Sequence, residues 1–213
     1  MDMTTLGAQL RCPSGEFAQE VSDRMFASNL NMIQKTYQNL NLEKATHLLE
    51  LGFGNGRHLR EIMENFPALT YTGVDISDDM VRMAQQFMKE NHLQKVQLHR
   101  IEKSFKEFVK DPFDACMTVN TLYFLEDPLQ TFKDIVNGLT SHGTFAMGCI
   151  EKEFGQHLPF TQQHFTFYDE RQIKDWLVEA GFNTVERMAY TEMTLAKEGQ
   201  WIERPFEVYV CTK

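Results

Sequence analysis

Between Glu50 and Arg57 the sequence reads ELGFGNGR, three glycines in five positions with a carboxylate two residues ahead of the first. Glycine admits positive φ and leaves one side of the backbone bare, so a ligand can approach the main chain closely. A strand-to-helix turn without a ligand uses glycine too, so the neighbours must decide. A phosphate-binding P-loop needs GxxxxGK followed by Ser or Thr, and nothing of that form follows Gly52. A dinucleotide turn needs GxGxxG, whereas Gly52, Gly54 and Gly56 read GxGxG and Arg57 holds the sixth position. Asp75 ends the apolar stretch TYTGVD, where a carboxylate can accept both hydroxyls of a ribose or simply start a helix near Ser77. That points to an adenosine-like ligand, a feature shared with NAD sites. Glu50 discriminates further, because a carboxylate there suits an ammonium and a sulfonium and repels a pyrophosphate.

Holding these groups requires strands that end beside one another. ATHLLEL (Ala45 to Leu51) is a short apolar run stopped by glycine, as expected of a buried parallel strand. A helix follows with Leu59, Ile62, Met63 and Phe66 on one face, ending before Pro67. Thr70 to Asp75 is a second strand, and Ser77 caps a helix that buries Met80, Val81 and Ala84. KVQLHR is a third strand, a short helix is expected over Ser104 to Val109, and FDACMTV is a fourth, central strand. Pro128 opens the next helix, GTFAMGCI is the fifth strand, and Asp169 with Gln172 caps a last helix stopped at Gly181. TVERMAY and FEVYVCT read as a hairpin-like pair at one end of the sheet.

This alternation predicts an α/β fold, a doubly wound, mainly parallel seven-stranded sheet with ligands beyond the C-terminal strand ends. One domain, residues 1–213, is expected. Residues 1–44 are its helical cap, 45–150 the ligand-binding half, and 151–213 the connection, last helix and terminal strand pair. Within the cap, Pro13 to Leu40 is expected to form two helices or one broken helix, packed on the sheet edge or closing the crevice as a lid.

In LLELGFGNGRHL and YTGVDISDDMV the chain resembles the class I S-adenosylmethionine-dependent methyltransferases, and the likeness runs from Pro13 to Phe182 through FDACMTVNTLYFLEDP. It looks most like the small-molecule branch that includes the ubiquinone and menaquinone biosynthesis methyltransferases. The resemblance implies a Rossmann-like fold with S-adenosylmethionine as methyl donor, held by Glu50, Gly52, Gly54, Gly56, Asp75, Ile76, Met80, Glu102 and Asn120. In that reading Glu50 anchors the loop and faces the methionine amino group, Asp75 takes the ribose, and Ile76 and Met80 sandwich adenine or fill the core. Glu102 matches the position that meets the adenine amine, although IEKS departs from the usual Gly-Asp-Ala, and a solvated charge would look the same. Asn120 matches the methionine end, or forms a turn. NTLY stands where adenine and glutamine N-methyltransferases have NPPY, and TSHG replaces the frequent Lys-Pro-Gly-Gly. With no separate recognition domain, a small-molecule acceptor is expected.

Methyl transfer from a sulfonium is an in-line displacement with an uncharged leaving group, so positioning can dominate. Where the acceptor must lose a proton, Tyr123, His157, His164 and Glu151 are the candidate bases on crevice-side segments. Seven His and four dispersed Cys show no metal spacing, so no metal is expected. A net charge of −9 disfavours nucleic acid as a partner. No run of 18 apolar residues or leader-like start appears, so the expectation is a cytoplasmic protein with no membrane insertion. An NAD-dependent oxidoreductase and a non-catalytic S-adenosylmethionine-binding protein are the alternatives. Neither the acceptor nor the oligomeric state follows from the sequence.

Overall fold

The computed structural model describes residues 1–102, 104, 111–195 and 200–213. Seven strands form one sheet in the order β3-β2-β1-β4-β5-β7-β6 among these residues. They are β1 (His47–Leu51), β2 (Thr70–Asp75), β3 (Val96–Arg100), β4 (Phe113–Val119), β5 (Leu139–Ile150), β6 (Thr184–Leu195) and β7 (Trp201–Thr212). The first five run parallel, and β7 is antiparallel to both β5 and β6. The doubly wound, mainly parallel sheet expected from the sequence is present, with β4 at its centre. The helix expected over Ser104 to Val109 falls, apart from Ser104, outside the described residues.

Helices cover both faces. Side chains on a strand alternate between faces, so Leu48 enters the core under α2 (Ala18–Gln38), α3 (Leu59–Asn65) and α4 (Asp78–Glu90). Leu49 and Leu51 enter the opposite core, with α5 (Pro128–Gly138) and α7 (Glu170–Ala180). By the same alternation Glu50 lies on the α2 side.

The N-terminal segment differs from expectation in two ways. A helix, α1 (Met3–Arg11), precedes the long α2, separated from it by a 3-10 turn at Gly15–Phe17. Asp2 caps α1 by accepting from Thr5 N at 2.8 Å. Its Gly7 lies so close to the Phe160 carbonyl that a Cβ would clash. The second concerns where α2 packs: it crosses mainly the central strands β4 and β5, with lesser contact to β7 and the edge strand β6, and so comes to lie over the crevice. Gly148 on β5 makes this possible, since a Cβ there would sit 2.5 Å from Thr36 Oγ1.

The terminal strands are longer than TVERMAY and FEVYVCT. Beyond the last β5–β7 pair, Ile150↔Phe206, residues 191–195 and 201–205 continue as a two-stranded extension. A buried ion pair, Arg204–Glu192, fastens this extension to α2: Arg204 Nη1 donates to Asn29 Oδ1 at 3.3 Å, and Asn31 Nδ2 to Glu192 Oε2 at 2.7 Å. No helix among the described residues is long and apolar enough to cross a membrane.

Candidate active site

A crevice of about 1010 Å³, counting the part open to solvent, lies beyond the C-terminal ends of β1, β2 and β4 under the first half of α2. The glycine loop forms its floor. Gly52, Gly54 and Gly56 all have positive φ, +79°, +61° and +70°. They do different work. Gly52 backs onto Thr121, and a Cβ on Gly56 would press on Ala84 of α4, so these two permit packing. Only Gly54 faces open space, with nothing within 4 Å of where its Cβ would be.

Asp75 holds this loop. Its Oδ2 accepts from Gly54 N at 3.0 Å and its Oδ1 from Ser77 N at 2.9 Å. It is 8% exposed, and burial pushes its pKa up to about 6 against the lowering effect of those N–H groups. A carboxylate whose charge is under-compensated is a strong acceptor for further donors from the crevice it lines.

Glu50 is fixed differently. It is 1% exposed, and its Oε2 accepts from Tyr71 OH at 2.5 Å and pairs with His58 Nε2 at 2.8 Å. Gly73 stands directly opposite Glu50 across the β1–β2 ladder, and the room it leaves is filled by Tyr71 and Phe53. Burial and the neighbouring Glu50 charge drive the Tyr71 hydroxyl well above its usual pKa, so it acts as a donor. Sequence reasoning passed over His58 and Tyr71. Strand alternation was the available signal, since Tyr71, two residues before Gly73, shares the face of Glu50.

Arg57, which breaks the dinucleotide pattern, turns outward to Asp23 of α2 at 3.0 Å. Ile76, 40% exposed, and Met80, buried, line the crevice beside Asp75. Asn120 lines the opposite side, in the left-handed region at φ +56°. Its Oδ1 accepts from Tyr123 OH at 3.0 Å, and that hydroxyl in turn accepts from Ile150 N. Met25, Phe26, Asn29 and Ile33 of α2 roof the crevice, with Phe124 and Leu125 beside them.

Several expected site residues lie elsewhere. Gly56 packs under α4, and Glu102 sits on the surface paired with Arg100 at 2.8 Å. Tyr123 is buried behind Asn120, and burial raises its pKa far above the usual value, the wrong direction for a base. His157 is exposed, and His164 packs under Gly7 of α1; neither lines the crevice, nor does Glu151. Among the described residues no cluster of three or more His, Cys, Asp or Glu could hold a metal.

Residues 49–147, the span that carries the loop, Asp75 and Asn120, match the methyltransferase domain family. That span, just under half of the chain, carries a methyltransferase domain. This methyltransferase is 30% identical over 112 residues to the biotin biosynthesis bifunctional protein BioHC of Teredinibacter turnerae. The match covers 50% of the chain and 20% of that protein, so the chain spans about a fifth of its curated relative. An O-methyltransferase family protein from Burkholderia thailandensis superposes with a TM-score of 0.70 at 13% identity, over 92% of this chain and 59% of that one. A possible histamine N-methyltransferase from Thermotoga maritima superposes over 100% of both chains, with a TM-score of 0.67 at 18% identity. At such identities the likeness is one of fold.

Proposed function

We propose that this methyltransferase carries a methyl group from S-adenosylmethionine to a small, largely apolar acceptor bound under α2. When bound, the cofactor supplies a sulfonium methyl whose displacement leaves an uncharged thioether, so no acid is needed at the leaving group. The chain's own residues bind and orient. Asp75 accepts the ribose hydroxyls, and Gly54 gives the backbone access that any side chain would block. Glu50, locked by His58 and Tyr71, offers fixed negative charge to the methionine ammonium. Ile76 and Met80 border adenine, and Asn120 stands at the methyl-bearing end.

One observation carries this reading: two buried carboxylates at the ends of adjacent strands flank a glycine loop that is open only at Gly54. A pyrophosphate would face both charges, whereas an adenosine bearing an ammonium and a sulfonium is matched by them. A small acceptor is favoured by the apolar roof of the crevice, where Met25, Phe26 and Ile33 of α2 face it. The net charge of −9 argues against a nucleic-acid acceptor.

Calorimetric titration with S-adenosylmethionine, S-adenosylhomocysteine and NADH tests the assignment. Binding of the first two and not of NADH is expected. Folded protein that binds neither sulfur ligand would overturn it.

A further inference from the structure

Of the three asparagines that line the crevice, Asn55 spends its amide on Ser22 O and Arg57 N, and Asn29 and Asn120 are both held with their carbonyl ends turned away. Asn29 Oδ1 accepts from Arg204, a residue that can only donate and that is itself buried against Glu192, with side-chain exposures of 8% and 6%. Asn120 Oδ1 accepts from Tyr123 OH at 3.0 Å, nearer than that hydroxyl's other acceptor, Ile150 O at 3.5 Å, and the hydroxyl oxygen accepts the Ile150 N–H, so the proton is directed to the asparagine. These donors orient each amide: oxygen to the protein, Nδ2 left over. Neither Nδ2 has a hydrogen-bond partner among the described residues, and both asparagines line the crevice. Arg11, another pure donor, also lines it and makes no ion pair among the described residues.

The crevice is therefore polarised. Its β1–β2 side presents the acceptors Glu50 and Asp75, and its α2–β4 side presents the donors Asn29 and Asn120. A bound methionine carboxylate would draw on part of this donor capacity.

We infer that the methyl acceptor is an apolar small molecule bearing an oxygen function that only accepts hydrogen bonds, a carboxylate in the first place, read by Asn29 and Asn120. The inference rests on the methyl-transfer reading for the word acceptor, but the donor pattern belongs to the chain itself. An amine acceptor would leave both amides without a partner and add donors where the wall already supplies them. The protein's net charge of −9 works against any anion, so a carboxylate preference reports local donors and not the overall field.

The probes are 3-phenylpropanoate and 3-phenylpropylamine, equal in length and opposite in polarity, titrated by calorimetry into the full chain with and without saturating S-adenosylhomocysteine. The carboxylate is expected to bind at least about tenfold more tightly, the worth of one charge-assisted hydrogen bond. Asn29→Asp, which exchanges the donor for an acceptor, should abolish or reverse that order and leave S-adenosylhomocysteine affinity within about twofold. Equal binding, tighter binding of the amine, no binding of either probe, or an order unchanged in Asn29→Asp would each overturn the inference. The wild-type comparison stands whatever the stability of the variant. The cofactor titration fails or succeeds separately: if S-adenosylhomocysteine does not bind, the methyl-transfer reading falls, and the cofactor-free titrations still read the carboxylate preference.

Discussion

On one side of the crevice Glu50 and Asp75 stand at the ends of neighbouring strands, and Asp75 is 21 residues from the Gly54 amide it holds. On the other side Asn29 is turned by Arg204, 175 residues away, on the far strand of a hairpin extension. The first wall is assembled within a single βαβ unit, so its chemistry is written in one stretch of sequence. The second is assembled from α2, the turn after β4 and the last two strands. A local wall is suited to a ligand common to many proteins, and a non-local wall can be re-made by changing parts the loop does not touch.

The harshest test of this division is Glu192→Ala. Removing one partner of a buried ion pair leaves Arg204 uncompensated, and a loss of about 3–5 kcal/mol is expected in urea unfolding. S-Adenosylhomocysteine affinity should hold in the fraction that remains folded, because no atom of the pair touches the loop. A parallel loss of cofactor affinity would show that the two walls are one unit.

Asp75→Ala attacks the opposite wall. Two charge-assisted hydrogen bonds to a ribose, each worth about 1.5–3 kcal/mol, set the expected loss of S-adenosylhomocysteine affinity at roughly 100-fold or more. The fold should survive. Burial raises this carboxyl from 3.8 to about 6, so in the unliganded protein its contribution to stability is complete below pH 3.8 and lost as pH rises through 6. Above that range the ionised group opposes folding, and its removal offsets the lost bonds to Gly54 and Ser77. Unchanged affinity in Asp75→Ala would remove the first wall from the cofactor site.

The same shift gives a pH dependence confined to one wall. Ribose hydroxyls donate to the ionised carboxylate, so binding selects it and is weakened as pH falls below about 6. At pH 5 about one molecule in ten is ionised, and S-adenosylhomocysteine should bind about tenfold more weakly than at pH 8. Calorimetry in two buffers of different ionisation heat should detect proton release on binding near pH 6. A flat affinity profile from pH 5 to 8 would mean that Asp75 does not meet the ligand.

What could be read from the sequence follows the same split. The succession of strands and helices around β1, the Ser77 cap and the positive-φ glycines are local features, and short-range patterns carry them. So is Gly181, which ends α7 in the left-handed region as its position predicted. Helix α1 escaped notice because MTTLGAQLR offers only Leu6 and Leu10 as large aliphatic residues, with a glycine at its one buried position. Residues 191–195 and 201–205 escaped because their inward side chains include Glu192 and Arg204, which read as surface charges until each is paired with the other. Glu102 shows the converse. Resemblance assigned it to the acidic position that meets adenine, and its side chain pairs with Arg100 in solvent, as the alternative of a solvated charge had it.

The smallest effect is also the most discriminating for the second wall. Tyr123 was a candidate base, yet its hydroxyl joins Asn120 to the end of β5, and burial holds its proton firmly. Tyr123→Phe removes that join and lets the Asn120 amide turn over, so Nδ2 is no longer held toward the crevice. One lost neutral hydrogen bond at a positioning group is worth about 1 kcal/mol, or roughly fivefold in kcat/KM for methyl transfer, with cofactor affinity unchanged. A true base would cost about 100- to 10,000-fold and take with it the basic limb of the pH–rate profile. A fivefold loss with the profile intact places Tyr123 behind Asn120 as a positioning residue. A loss of several hundredfold with an altered profile would return it to the chemistry and dissolve the donor wall, because Asn120 would no longer be the group that faces the acceptor.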